Sequence, residues 1–227
     1  MPPSKHAAKT PEVTLRRLLR AWNAGDEEAG RQLFELLADD VTRFFRSKLF
    51  DQHAVEDLVQ ETFLKVRVAN SEVHTTARGF VFGVAFNTLR HHLRGRQRAG
   101  VRHQRLADAL DSGTYVLGDH EIDPEYVLGM KQERRLLMKS MRRIPLDDQV
   151  MLELHYMQSL SRREMAEIFQ RKEPTIAGQL RRARRRLAAK MAEVAQSREV
   201  LLSTSKSAAS WLHELAQHLG AMTSERA

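Results

Sequence analysis

The chain has 227 residues, a formal net charge of +8 and no cysteine. That length suits one large or two small domains, the positive balance points to a polyanionic partner, and disulfides and cysteine-based zinc sites are excluded. The opening residues, 1–11, are polar and lack the apolar core of a signal peptide, and no apolar run reaches the ~18 residues of a membrane span, so no membrane insertion and a cytoplasmic location are expected.

Periodic segments along the chain have helical spacing, and an all-α fold is expected. Thr10-Pro11-Glu12 supplies an N-cap, a first-turn proline and an acid near the positive end of the helix dipole. A helix through Leu15, Leu18 and Leu19 should follow, broken at Gly25-Asp26. Asp26 then caps a helix with Ala29, Leu33, Leu36 and Leu37 on one side, and Val41, Phe44, Phe45 and Leu49 continue its apolar pattern. From Ala54 to Arg67, with Asp51 as cap, Val55, Leu58, Val59, Thr62, Phe63 and Val66 form one stripe. The opposite face carries Glu56, Asp57, Gln60, Glu61 and Lys65, a composition that a solvated helix also shows.

A polar loop over Ala69–Gly79 leads into a helix from about Ala77 to Gln97. There Phe80, Phe82 and Phe86 are interleaved with Asn87, Arg90, His91 and Arg94, followed by Arg98. Aromatics, base-edge hydrogen bonders and cations together suit unstacked single-stranded DNA. Phe82, Phe86, Leu89 and Leu93 lie at i, i+4, i+7 and i+11, so that stripe reads as core. The charge then reverses: between Leu106 and Tyr126 stand Asp108, Asp111, Asp119, Glu121, Asp123 and Glu125, with no lysine or arginine, and with Gly113 and Gly118 among them. This reads as an acidic flexible linker over 106–123.

Asp123 restarts helix, expected over Glu125–Arg143 and stopped at Ile144-Pro145, with further helices over Asp147–Met157 and Ser161–Phe169. Ser161 and Glu164 have capping-box spacing. A last long helix beginning near Glu173 or Pro174 carries Arg181, Arg182, Arg184, Arg185, Arg186 and Lys190. A short capped helix, a tight turn and a basic helix make a helix-turn-helix pattern, whose second helix fits a major groove. A solvated basic helix on an ordinary bundle is the alternative at this point. Trp211, Leu212, Leu215 and Leu219 give one more amphipathic helix within a C-terminal extension over 191–227. It reads as an extra helix on the second domain or as a regulatory partner face.

Enzyme readings find little support. His91 and His92 are adjacent and point about 100° apart on a helix, and no metal-binding spacing, phosphate-cradling glycine loop or nucleophile elbow is present. No cofactor, metal or catalytic residue is expected.

Four blocks, in order, resemble the extracytoplasmic-function sigma factors. The first is 25–29 with Leu33-Phe34-Glu35-Leu36. The second, 55–66, reads Val-Glu-Asp-Leu-Val-Gln-Glu-Thr-Phe-Leu-Lys-Val and is similar to the family's polymerase-binding motif. The third, Phe80 to Arg98, is similar to its promoter-melting helix. The fourth joins Ile144-Pro145-Leu146, Leu160-Ser161, 164–168, Pro174-Thr175-Ile176 and 180–187. The resemblance spans about 12–190 and implies two small helical domains, 12–105 and 124–190. It implies bacterial RNA polymerase core as a partner of Asp57, Leu58, Gln60, Glu61, Phe63 and Lys65. It implies the downstream promoter element as a partner of Phe80, Asn87, Arg90, His91, Arg94 and Arg98, with the loop Ala69–Gly79 capturing a flipped base. Thr175, Ala177, Gly178, Arg181, Arg182 and Arg185 would read the upstream element as duplex. An anti-sigma protein is a further candidate partner, and the free chain is expected to be monomeric.

The sequence departs from the family pattern in several places: Gly83 replaces a frequent arginine, the turn 169–171 lacks its usual glycine, Lys172 stands where a serine N-cap is common, Ala177 and Gly178 stand where Lys or Arg and then Ser are common, and Gln179 replaces a common arginine. The reading from another class is a helix-turn-helix regulator that binds operators without polymerase. Two weaker ones are a nucleic-acid-processing enzyme using His91 and His92, and a sigma-like protein without promoter reading.

Overall fold

The computed structural model describes residues 10–49, 51–69, 76–95, 108–117 and 132–194, and the described residues contain helices and no strand. The helices are α1 (Glu12–Asn23), α2 (Glu27–Arg46), α3 (Gln52–Val68), α4 (Ala77–Gly95), α5 (Gln132–Arg142), α6 (Leu146–Tyr156), α7 (Arg162–Ile168) and α8 (Glu173–Val194). A helical turn over 108–111 lies between α4 and α5. The expected caps of residues 123–125, Arg98, the loop 70–75 and the C-terminal residues 195–227 with Trp211 lie outside the described residues.

Helices α1 to α4 form the first unit. Leu15, Leu18, Leu19 and Trp22 of α1 meet Leu33, Leu37, Val41, Phe44 and Phe45 of α2, and α3 and α4 close the bundle. The entry to α1 differs from the expected Thr10 cap: Pro11 holds the N-cap position and no side chain caps it. Proline has no N–H of its own to satisfy, and its fixed φ suits the first turn. Gly25 makes the α1–α2 turn at φ +101°, where a side chain is disfavoured, and Asp26 accepts from Ala29 N–H at 3.0 Å. The Trp22 ring lies against the bare backbone of Gly30, in the space a Cβ would fill, which seats α1 closely on α2. Leu36, expected on the buried side, is exposed. The register of α2 turns Leu33 and Leu37 inward, and Leu36 falls outside their arc.

In the second unit α5, α6 and α7 all pack on α8, which buries Ile176, Leu180, Ala183, Leu187 and Met191. The cores of the two units are continuous. The described part of the acidic connector is packed rather than free. Leu110 and Leu117 are buried, and the Tyr115 carbonyl accepts from Leu146 N–H at 2.7 Å. Its apolar residues anchor it while its carboxylates stay at the surface.

Candidate polymerase and nucleic-acid interfaces

Three helix faces carry the residues that sequence reasoning singled out. Helix α3 is anchored by Asp51, which accepts from His53 and Ala54 N–H at 3.0 and 3.3 Å. Its inner stripe is Val55, Leu58, Val59, Thr62, Phe63 and Val66. Asp57, Gln60, Glu61 and Lys65 share the exposed face, with Glu61 and Lys65 paired at 2.6 Å. Leu58 and Phe63 must be removed from that face: both are buried, and Phe63 stacks edge-on against Phe34 at 4.8 Å. Leu64, absent from the core stripe, is 60% exposed among these acids, one helical turn beyond Gln60.

Helix α4 is capped across the bundle by the Glu12 carboxylate, which accepts from Ala77 N–H. The helix begins at Ala77, the expected start, so Ala77, Arg78 and Gly79, which the expected loop overlapped, are helical. Phe82 and Phe86 are core, as their spacing indicates, with Phe82 edge-on to Phe44 and Phe86 near Phe169. Phe80 is half-buried against the core. Asn87 and His91 sit one turn apart and face solvent. Arg90 and Arg94 do not stand open: both pair with Asp111 of the connector, and Arg90 also donates to the Leu110 carbonyl at 2.6 Å.

Helices α7 and α8 form the helix-turn-helix. The capping box is complete, with Glu164 N–H donating to Ser161 Oγ at 3.2 Å and Ser161 N–H to Glu164 Oε2 at 2.7 Å. The turn keeps the geometry a glycine would favour. Gln170 takes φ +51°, its N–H donates to the Glu167 carbonyl, and Arg171 N–H reaches the Ala166 carbonyl at 2.9 Å. This is a Schellman ending with a glutamine in the left-handed position. On α8, Thr175, Arg181, Arg182 and Arg185 are exposed, and Ala177 and Gly178 are half-buried beside them. Arg186 is drawn to Asp148 at 2.5 Å and Arg184 to the Tyr156 hydroxyl at 3.3 Å. Arg181, Arg182 and Arg185 have no protein partner among the described residues. They project from one face at i, i+1 and i+4, an uncompensated row of guanidiniums suited to phosphates and base edges.

Comparison with known proteins gives the same division. The Sigma-70 region 2 family matches residues 33–99 and the Sigma-70, region 4 family matches residues 134–187, together just over half of the chain. The ECF RNA polymerase sigma factor SigM of Bacillus subtilis (strain 168) is 26% identical over 159 residues, covering 70% of this chain and 92% of that protein. A solved structure of CnrH in complex with the cytosolic domain of CnrY overlays with a TM-score of 0.49 at 19% identity, over 79% of this chain and 98% of that one. The chain belongs to the extracytoplasmic-function sigma factors. It is an RNA polymerase sigma factor, acting in transcription initiation with core polymerase and promoter DNA as partners. The region 2 match sets aside the operator-binding alternative, because a polymerase-independent regulator has no use for that unit. No described helix is long and apolar enough to cross a membrane.

Proposed function

We propose that the two units, 12–105 and 124–190, divide the work of promoter recognition between the three faces. The outer face of α3, through Asp57, Gln60, Glu61 and Lys65 with Leu64 among them, grips polymerase core. An exposed leucine ringed by charges fits a partner surface that is apolar at its centre and polar at its rim. Helix α4 serves the downstream element: Asn87 and His91 are available to base edges, and Arg90 and Arg94 are available once Asp111 releases them. Flipped bases held by protein offset part of the few kcal/mol, roughly, that local unpairing costs. Helix α8 reads the upstream element as duplex through Thr175, Ala177, Gly178, Arg181, Arg182 and Arg185. The phosphodiester chemistry is polymerase's, and this chain contributes recognition and strand separation. Its partners place its action in the cytoplasm.

The observation that carries this reading is the unpaired row Arg181, Arg182 and Arg185 on the second helix of a capped helix-turn-helix, in a chain whose other unit presents the α3 face. Reconstitution with bacterial core polymerase and a promoter library tests it. The chain associates with core and directs RNA synthesis from a defined subset of templates. Glu61→Lys lowers core affinity at least about tenfold, equivalent to ~1.4 kcal/mol. A chain that does not associate with core, or a complex that starts no RNA on any template, refutes the reading.

A further inference from the structure

Helix α8 contains a glycine that its own fold does not use. At about 100° per residue, Gly178 lies opposite the buried stripe of Ile176, Leu180, Ala183 and Leu187, at the centre of the outward arc that holds Arg181, Arg182 and Arg185. Glycine is the least favourable residue in a helix interior after proline, because it has the most backbone freedom to lose. Gly30 and Gly25 answer to their surroundings: Trp22 occupies the Cβ space of the first, and the second takes a positive φ. Gly178 lies within α8 without a positive φ, and among the described residues one atom stands within 4 Å of a Cβ built there, Arg182 Nη1 at 3.6 Å. That is ordinary van der Waals contact, so an alanine fits the free protein and favours the helix.

The bare position faces outward on the helix that enters the groove. A recognition helix presents its N-terminal turns to base edges, and Gly178 stands in the second turn of α8, between Thr175 and the arginines. Its N–H and C=O are engaged in the helix ladder. What it offers a base pair is a methylene, and a base donor or acceptor pressed against that would lose water and gain no partner. The apolar feature of the major groove is the thymine C5-methyl, whose burial against a methylene is favourable. At a carbon–carbon contact of about 4 Å, no space for a Cβ remains between them. Arg182 leans back over Gly178, as helical side chains lean toward the N-terminus, so its guanidinium walls one side of the gap.

We propose that Gly178 is a specificity-determining residue: it lets the backbone of α8 close on the C5-methyl of a thymine in the upstream element. This rests on the assignment of α8 to upstream duplex given above.

The test uses the full chain with core polymerase, on a promoter that the wild-type chain selects. Each thymine of the upstream element is replaced in turn by deoxyuridine, which removes the C5-methyl and keeps the base pair. The wild-type holoenzyme loses at least threefold in promoter affinity at one of these positions. Gly178→Ala loses at least fivefold on the thymine promoter, and deoxyuridine at that same position restores most of the loss, because the alanine methyl then occupies the space of the missing one. The free variant moves the other way, with a urea midpoint above that of wild type. A structural role for Gly178 would lower both quantities together.

A wild-type holoenzyme indifferent to every thymine methyl overturns the proposal. So does a Gly178→Ala holoenzyme that binds the thymine promoter as well as wild type, a loss that deoxyuridine does not relieve, or a lowered urea midpoint. A wild-type holoenzyme that binds and initiates equally well after the upstream element is scrambled refutes the assignment of α8 to DNA, and the proposal with it.

Discussion

Lys48→Met probes quantitatively the contact between the two units, where Lys48, just past the end of α2, meets Glu153 of α6 at 2.5 Å. Lys48 and Glu153 are 1% and 6% exposed in their side chains, and besides Glu153 the ammonium donates to the Phe44 carbonyl at 2.7 Å and Ser47 Oγ at 2.9 Å. Burial pushes the Glu153 carboxyl above its ordinary value of 4.5 and the Lys48 ammonium below its ordinary 10.5, and the attraction between them offsets only part of this. Removing one member of a buried pair costs about 3–5 kcal/mol, because the other charge is left without compensation. Here the two groups sit on different units, so the cost falls on docking and leaves each unit folded. Glu153 in the variant escapes the penalty by taking up a proton. With the docked carboxyl titrating above 4.5 and the undocked one returned to water, the docked state holds the extra proton. Docking is therefore supported below pH 4.5 and weakens as pH rises toward the raised value, by about 1.4 kcal/mol per pH unit. Small-angle X-ray scattering between pH 4.5 and 8 reads this as a variant that is compact in acid and expanded near neutrality. Lys48→Met combined with Glu153→Leu removes both charges. Replacing a whole buried pair by apolar groups is neutral or favourable by about 1–4 kcal/mol, so the double variant stays compact across the range and controls for every other titrating group. A single variant whose radius ignores pH, or a double variant as expanded as the single, refutes the reasoning.

Two further outcomes concern the second unit. Gln170→Gly relieves a left-handed conformation that costs an L-residue about 1–2 kcal/mol, and raises stability in urea by about 1 kcal/mol; no gain means that the turn carries no strain. Arg185→Ala, one turn beyond Arg181 and Arg182 and so further from the base-reading end of α8, weakens upstream duplex binding evenly across sequences. It lowers the slope of log affinity against log salt by about 1, and an unchanged slope places Arg185 off the phosphates.

Local patterns determined most of the elements. The stripe from Val55 to Val66, the Asp26 and Asp51 caps and the Ser161–Glu164 box are statements about neighbours three and four residues apart, and such neighbours are fixed by helical geometry whatever surrounds them. The same reasoning assigned Phe82 and Phe86 to the core and the arginine row to the outer face of α8. The stripe likewise placed Phe63 inside, where Phe34 covers it. The reasoning went astray at Leu36, which lies beside the arc of Leu33 and Leu37 and is exposed.

The sequence by itself determined most of the helices, the caps at Asp26, Asp51 and Ser161, and which cations and acids lie on which face, because each rests on short-range periodicity and charge. Only the tertiary structure decided that Arg90 and Arg94 are held by Asp111, that Lys48 finds Glu153 at 105 residues' separation, and that the acidic connector is packed over its described part. Periodicity carries no record of such meetings. They follow from how two apolar surfaces, each already formed, bury what remains of their exposed area against one another.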